Sequence, residues 1–387
     1  MQLFSDNLFF IWLVVLTLPA IWLGAHEQPI KYYGAAVTLF FVWMAMGNNF
    51  KALAYLIGFL IYTFVLIQIY LKVHKTKGRN AKFYYLFLGL AILPLALNKV
   101  FIAAHDPHDI LRFMGISYMT FKSAQIVIEI YDGLIESVDA FEYAYLLLFF
   151  PALSSGPIDR SRRFNDDLHQ VMPKAEYLDL VGTGLFRILR GLVYKKAIAT
   201  GFYQLMIWFG MGHSLRGGLI YMYTYGFYLF FDFAGYSDMA VGASYLFGIK
   251  TPDNFNKPFV SVDIKEFWDR WHITLSHWFR DFVFSRITMN MIRKKRFKNK
   301  LTRASVAFII NMGIMGCWHG LTSYYIAYGL YHGVLLSATE IFQKKSKFYK
   351  RHKKDKGFKA VSWLVTFNLV MFGFLIFSGR LNVLLHL

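Results

Sequence analysis

ALAYLIGFLIYTFVLIQIYL, residues Ala52 to Leu71, runs for twenty residues without a charge, and KVHKTKGRNAK, Lys72 to Lys82, follows it with five basic side chains and no acid. An apolar run of that length crosses the hydrocarbon core of a bilayer as a helix. A short basic loop beside it marks the cytoplasmic side. The composition agrees: the chain of 387 residues is 56% hydrophobic, 19% aromatic and only 17% charged. Soluble domains carry more charge. In lipid, backbone groups must be satisfied internally, which leaves helices or a closed barrel. Long apolar runs without two-residue alternation select helices. The expectation is an all-α polytopic membrane protein.

Working outward, Leu8–Gly24 reads as a first span kinked at Pro19, and Tyr32–Met46 as a second. The N-terminus has no basic leader and no clear cleavage site, so Phe9–Ala25 is taken as a retained span rather than a signal peptide. With Lys72–Lys82 inside, three crossings place the N-terminus outside. Phe83–Leu97 returns outward. Ile110–Ile130 contains Lys122 and Glu129, so it should face protein rather than lipid. Phe141–Leu153 ends in LSSGPIDRSRRF, where Gly156-Pro157 breaks the helix. Tyr177–Phe209 carries Arg187, Arg190, Lys195 and Lys196, spaced as one wet helix face along the surface or in a cavity. Gly217–Phe247 is long. Ala304–Gly316 and Tyr324–Ile341 form a hairpin turning near Gly320–Ser323, and Val361–Phe377 is a last span. About ten to twelve crossings result, with re-entrant or interfacial pieces between them.

The net charge of +19 comes from 42 basic and 23 acidic residues. It does not point to nucleic acid, because the basic residues cluster in short loops between apolar spans. RKKRFKNKLTR, Arg293–Arg303, has seven basic residues, and KKSKFYKRHKKDKGFK, Lys344–Lys359, has nine basic and one acidic. The single cysteine, Cys317, excludes an intrachain disulfide and a cysteine-rich metal site. No internal repeat or low-complexity tract is visible.

One stretch fits neither a span nor an ordinary loop: NFNKPFVSVDIKEFWDRWHITLSHWFRDFVF, Asn254–Phe284. Read as a helix from Asp263, its Phe267, Trp271, Leu275, Trp278 and Phe282 recur at spacings of four, four, three and four, which makes one apolar face. The other face carries ions, which at membrane depth need partners or water. His272 lies beside the apolar face with Asp269 three residues before it, within reach along a helix. It could relay a proton, orient an acceptor or simply be a satisfied interfacial histidine; His277 is the weaker candidate.

His319, in GCWHGLTSYY, sits at the end of an apolar run between Gly316 and Gly320, which permit close helix approach. Imidazole suits proton transfer near neutral pH. A bundle histidine bonded to a carbonyl is equally compatible with the residues alone. His332, in GLYHGVLL, has the same setting and reads as structural. Cys317 is not a partner for His319, since residues two apart on a helix point in opposite directions. Asp232 and Asp238, in YLFFDFAGYSDMAVG, need partners; they could line a polar cavity or pair with an arginine such as Arg187 or Arg270. No HExxH, GxSxG or Gly-rich phosphate loop occurs, so zinc peptidase, serine hydrolase and nucleotide-binding readings lack support, and no metal is expected.

Five blocks in one order (FFPALSSGPIDR, FDFAGYSDMA, the Asn254–Phe284 stretch, WHG and YHG) resemble the membrane-bound O-acyltransferases across Phe149–Gly333. The resemblance implies a ring of tilted helices around a thinned centre, with a tunnel from the cytoplasm meeting a funnel from outside. On that reading residues 1–387 are a single membrane-embedded acyltransferase domain: N-terminal helices over 1–135, a core over 141–341, and a C-terminal basic loop and last span over 342–387. His319 matches the family's catalytic histidine and His272 its second functional polar position. Asp232, Asp238, Trp271, Trp318 and His332 would line the tunnel or the acceptor site.

Within the family, the short length and SYMTFKSAQIVIEIYDG, Ser117–Gly133, are most similar to members that D-alanylate (lipo)teichoic acid in the plasma membrane of Gram-positive bacteria. That similarity implies D-alanine as the acyl group, carried as a thioester on the phosphopantetheine arm of a small acidic cytoplasmic carrier protein. Teichoic acid or a small membrane acceptor would receive it on the outer side. A thioester is already activated, so one general base and a polar oxyanion site suffice, without a permanently bound cofactor. The basic face would steer the carrier in, and Ile287, Met289, Met291 and Ile292 with Arg293, Lys294 and Lys295 would dock it. Two rival readings stand beside this one. One is acetyl transfer to an exopolysaccharide; the other is a transporter or flippase using Asp232, Asp238 and His272 as a relay.

Overall fold

Each apolar run closes its own backbone hydrogen bonds, and the chain is accordingly helical. The computed structural model describes residues 2–104, 111–212 and 214–385; among them the regular elements are helices, with one isolated bridge between Phe255 and Trp271. In chain order they are α1 (Asn7–Ala25), α2 (Lys31–Met46), α3 (Phe50–Lys77), α4 (Ala81–Ala103), α5 (Ile116–Tyr131), α6 (Ala140–Leu148), α7 (Ser161–His169), α8 (Lys174–Leu192) and α9 (Thr200–Phe209). There follow α10 (Leu215–Leu246), α11 (Ile264–Arg270), α12 (Ile273–Phe279), α13 (Ser285–Arg293), α14 (Lys300–His319), α15 (Ser323–Lys345), α16 (Lys347–His352), α17 (Lys356–Phe377) and α18 (Arg380–Leu384).

Among the described residues, five helices are long and apolar enough to cross a membrane: α1, α3, α4, α14 and α17. Helices α10 and α15, at 32 and 23 residues, are as long but less apolar. The first residue of the span expected to begin at Ile110 lies outside the described residues, and the helix there is α5. Two compact units emerge, Met1–Leu192 with Gly235–Pro252, and Val193–Ala234 with Asp253–Leu387.

The first unit is built around α5, buried along Tyr118–Ile130 on every face. Its polar side chains are therefore bonded to protein, as Lys122 and Glu129 in the sequence predict. The Lys122 ammonium donates to the Leu146 carbonyl at 2.8 Å, and Ser161 donates to Glu129 at 3.3 Å. An aromatic cluster of Phe9, Phe41 and Phe150 packs in the same unit, with centroids 4.6 to 6.3 Å apart. Helix α6 stops at Leu148, earlier than Gly156-Pro157 predicts, because the chain tightens into a 3-10 turn at Phe150–Ala152. Beyond it Arg163 grips Asp159 and Asp167 and donates to the Lys250 carbonyl at 2.7 Å. The polar turn after the break is thus tied down by a buried ionic knot.

The basic face expected here is partly exposed: Lys196, in the turn after α8, is open to the surroundings, while the arginines of α8 are also engaged in ion pairs. Arg190 makes a two-pronged bond to Asp238, both arms 2.7 Å, and Arg187 stands 3.6 Å from the same carboxylate. A carboxylate held by a planar guanidinium in this way is the strong form of the ion pair. Arg187 is the partner anticipated for such an aspartate; Arg270 is not, and bonds Glu266 at 2.9 Å instead.

In the second unit α14 and α15 form the expected hairpin. A Cβ at Gly316 would lie 2.5 Å from the Tyr325 carbonyl oxygen and 3.2 Å from the Gly329 Cα. Only glycines let these backbones touch, and close backbone approach is how helices associate in lipid. Helix α17 packs against α15, with the Tyr331 hydroxyl donating to the Leu369 carbonyl at 3.0 Å. The seven-residue segment Val193–Ala199 is a π-helix leading into α9, and Lys195 from it pairs with Asp232 of α10.

Candidate active site

The single helix that the apolar spacing predicts from Asp263 is in fact broken. Helix α11 ends at Arg270, Trp271 is extended, and His272 has φ 43° and ψ 52°. Backbone bonds from outside the segment hold this break open. The Asn256 amide donates to the Arg270 carbonyl at 3.0 Å and the Ile273 amide to the Asn254 carbonyl at 2.9 Å. The ladder also bridges Phe255 to Trp271. A left-handed conformation at a residue other than glycine costs energy and persists only where its surroundings impose it. The break changes the partner of Asp269. It lies 4.0 Å from His277 and 3.9 Å from Arg280, rather than with His272.

The apolar positions remain buried despite the break: Phe267, Trp271, Leu275, Trp278 and Phe282 all face the interior. Trp271 wedges between Phe255 at 5.1 Å and Phe374 at 4.8 Å. After α12 the helix widens into a π-turn, Arg280–Phe284, before α13.

His272 is itself buried, and its Nδ1 stands 3.3 Å from Asn254 Oδ1. The Thr274 hydroxyl donates to that same oxygen at 2.6 Å. An amide oxygen only accepts, so Nδ1 carries the proton and Nε2 presents its lone pair. The edge of Phe233 closes the other side at 4.8 Å. His272 lies between two seven-residue helices, outside the long apolar spans. Burial, together with the charge that His319 would carry, holds its imidazole below the usual histidine range, which keeps it neutral.

His319 is the last residue of α14 and is half-buried. Its ring contacts Trp318 at 4.6 Å, Phe377 at 5.0 Å and Tyr325 at 5.9 Å. The helix C-terminus behind it favours positive charge on the ring. Trp271, adjacent to His272, packs on Phe374, and His319 packs on Phe377, one turn further along α17.

His332 is wholly buried one layer behind. It accepts from Trp268 Nε1 at 3.3 Å and packs on Tyr328 at 4.7 Å. Gly373 leaves the space its ring occupies. Cys317 is half-buried and free. Asp232 is paired with Lys195, while Asp238 belongs to the first unit with its arginines. On α13, Met289 and Ile292 are exposed, at 65% and 55%, as are Arg293, Lys294 and Lys295. Ile287 is half-buried and Met291 is buried, so Met291 faces the fold. No group of histidine, cysteine and carboxylate side chains suited to a metal occurs among the described residues. Asn254 and Thr274, which fix the His272 ring, carry no local signal of that role in the sequence.

The family model for the membrane-bound O-acyltransferase family matches residues 59–382. The chain belongs to the membrane-bound O-acyltransferase family. As a membrane-bound O-acyltransferase it is a multi-pass membrane enzyme that moves acyl groups to oxygen. Among its relatives, the teichoic acid D-alanyltransferase of Bacillus subtilis (strain 168) is 41% identical, covering 97% of this chain and 98% of its own. The teichoic acid D-alanyltransferase of Streptococcus thermophilus is 38% identical over 98% of this chain and 95% of its own. The probable alginate O-acetylase of Pseudomonas aeruginosa is 31% identical over 70% of this chain but 49% of its own.

Proposed function

We propose that this enzyme transfers D-alanine from a carrier-protein thioester to an acceptor hydroxyl destined for teichoic acid, with His319 as general base. The near full-length similarity to teichoic acid D-alanyltransferases carries the choice of acyl group. The packing of Trp271, next to His272, and of His319 on neighbouring turns of α17 supports the roles.

In the proposed step His319 takes the proton of the acceptor hydroxyl as its oxygen attacks the thioester carbonyl. The tetrahedral oxyanion collapses, the carbon–sulfur bond breaks, and the phosphopantetheine thiolate takes up the proton from His319. An ester and a free thiol result, so atoms and charge balance. His272 stays neutral; because the reacting hydroxyl gives its one proton to His319, His272 Nε2 accepts instead from a second donor on the acceptor, such as a neighbouring hydroxyl, and so positions it. A buried, neutral imidazole fixed by Asn254 is a better orienting acceptor than a second base. The half-exposed His319, at a helix end that tolerates the imidazolium, suits the proton-carrying role.

The carrier would dock on α13, where Met289 and Ile292 lie exposed beside Arg293, Lys294 and Lys295. Long-range attraction raises the encounter rate with an acidic partner, and methionine adapts to its surface. Lys72–Lys82 would face the cytoplasm, with the N-terminus outside.

Acetyl transfer to an exopolysaccharide is the second reading, supported by the similarity to an alginate O-acetylase. The transporter reading loses ground because both aspartates that a relay needs are paired with cations. Purified enzyme in membranes would be offered radiolabelled D-alanine on its loaded carrier and, separately, labelled acetyl thioesters. Label entering acceptors only from D-alanyl carrier is expected. Label entering only from acetyl donors would move the assignment to the second reading.

A further inference from the structure

The C-terminal basic segment does more than follow the positive-inside pattern. A cavity of about 180 Å³ opens in the second unit where α15, α16 and α17 meet the start of α11. Its lining is mostly apolar, with Ile264, Phe342, Phe358 and Leu369, but Asp263 and Gln343 share it, and the exposed Lys353 and Lys359 form its rim. The acids close to it are already engaged. Asp263 caps α11 and accepts from Gln343 at 2.9 Å, and Glu340 accepts from Lys265 at 2.6 Å. Among the described residues neither Lys353 nor Lys359 has a carboxylate partner.

Three features coincide here. The cavity is mostly apolar within and cationic at the rim. It lies where the end of α15, with Lys344 and Lys345, and the start of α17, with Lys356, carry the change from apolar helix to basic loop. That is the level at which lipid headgroups sit. The outward side of α17 continues the apolar surface away from the rim, with Val361, Leu364 and Val365 more than half exposed. Basic pockets between helices at that level select anionic headgroups.

We infer that this cavity is a binding site for an anionic phospholipid. Its phosphate would lie between the ammonium groups of Lys353 and Lys359, and one acyl chain would enter between Phe342 and Phe358 and run down α17. The inference is independent of the acyl donor. An acidic protein is the competing occupant of a basic surface, but a concave, mostly apolar cavity of about 180 Å³ takes an acyl chain more readily than a protein face.

The test uses the full chain, delipidated in a neutral detergent, with phosphatidylglycerol, phosphatidylcholine or glycerol phosphate added back and bound molecules counted by native mass spectrometry. Phosphatidylglycerol should be retained over phosphatidylcholine, and glycerol phosphate alone should not. K353E with K359E should weaken phosphatidylglycerol binding by about tenfold or more, given the contribution of each lysine near an anionic headgroup. K72E with K75E makes the same charge change in another basic loop and should leave this binding within about twofold. Equal losses in the two double variants, or no loss in the first, would overturn the site. So would retention of lipid with loss of carrier-protein binding in K353E with K359E. Glycerol phosphate binding as well as the lipid would overturn the acyl-chain contact. Val365→Asp supplies a second readout: it places a carboxylate on the cavity wall and should lower lipid retention while the rim lysines remain.

Discussion

His272 Nδ1 and Asn254 Oδ1 stand 3.3 Å apart across a break in the helix, and the same oxygen takes a 2.6 Å bond from Thr274. Asn254 also supplies the carbonyl that receives the Ile273 amide, so one residue fixes both the backbone kink and the imidazole tautomer. Asn254→Ala removes the side-chain half of this and leaves the backbone half. The expected result is a fall in kcat of about tenfold to a hundredfold, from a ring free to rotate or change tautomer. Carrier KM should stay near wild type. Thr274→Val should cost less, because Asn254 still holds the ring. A matching rise in carrier KM would mean that Asn254 acts on docking rather than on His272.

His319→Gln keeps a polar side chain of similar reach at the end of α14 but cannot take a proton. Loss of about a hundredfold to ten-thousandfold in kcat is expected, the usual weight of a positioned general base. Elution from size exclusion should match wild type, since His319 is only half-buried. His332→Gln behaves differently under the same assay. That ring is wholly buried against Trp268 and Gly373, so its loss should lower thermal stability before it lowers kcat.

Much of this architecture is readable from residue pattern. The apolar runs became helices, some with ends as much as six residues from those expected, and buried Lys122 and Glu129 marked α5 as a protein-facing helix. The hairpin of α14 and α15 follows from the two basic blocks that flank it, and its glycines let the helices close. The break at His272 is a different matter. Positions 267, 271, 275, 278 and 282 are buried whether or not the helix is continuous, so periodicity is blind to the kink. What makes it is backbone pairing from Asn254 and Asn256, more than a dozen residues away. The same holds for Asp269, whose partners follow the kink and not the helical spacing. A carboxylate in an apolar helix announces that it needs a cation; which cation answers depends on packing.

Gly316 and Gly329 set the distance between the helix carrying His319 and its neighbour. A side chain at Gly316 would strike the Tyr325 carbonyl oxygen, 2.5 Å from the new Cβ. Backbone cannot yield as a flexible side chain can, so Gly316→Val should destabilise by about 1–3 kcal/mol. It should also separate His319 from Tyr325. The thermal midpoint by fluorescence-detected size exclusion reads the first effect and kcat the second. An unchanged midpoint would show that the hairpin can open without cost.

Arg190 and Asp238 test whether ion pairs in this protein stabilise or only satisfy one another. Asp238 retains Arg187 at 3.6 Å when Arg190 is removed, so its charge is never left alone. Arg190→Met should therefore destabilise by about 1–3 kcal/mol, below the cost of orphaning a buried charge. Asp238→Leu leaves two guanidinium groups facing each other and should cost more. The double variant Arg190→Met with Asp238→Leu should recover part of that loss, and a thermal-midpoint cycle measures how much.

The α13 surface separates docking from folding within one short helix. Met289 and Ile292 are exposed, whereas Met291, between them in sequence, is 7% exposed and faces the fold. Met289→Asp with Ile292→Asp would put two negative charges where the proposed acidic carrier would land. Carrier KM should rise by about tenfold or more while kcat at saturation holds, because the histidines are untouched. Met291→Asp should instead lower expression and thermal midpoint, since a carboxylate would be forced into an apolar site. The two outcomes depend on a rotation of about 100° per residue around one helix axis. If Met291→Asp raised carrier KM with full stability, the docking face would lie on the opposite side of α13. If the exposed pair lowered kcat alone, α13 would be acting on the reaction centre and not on the carrier.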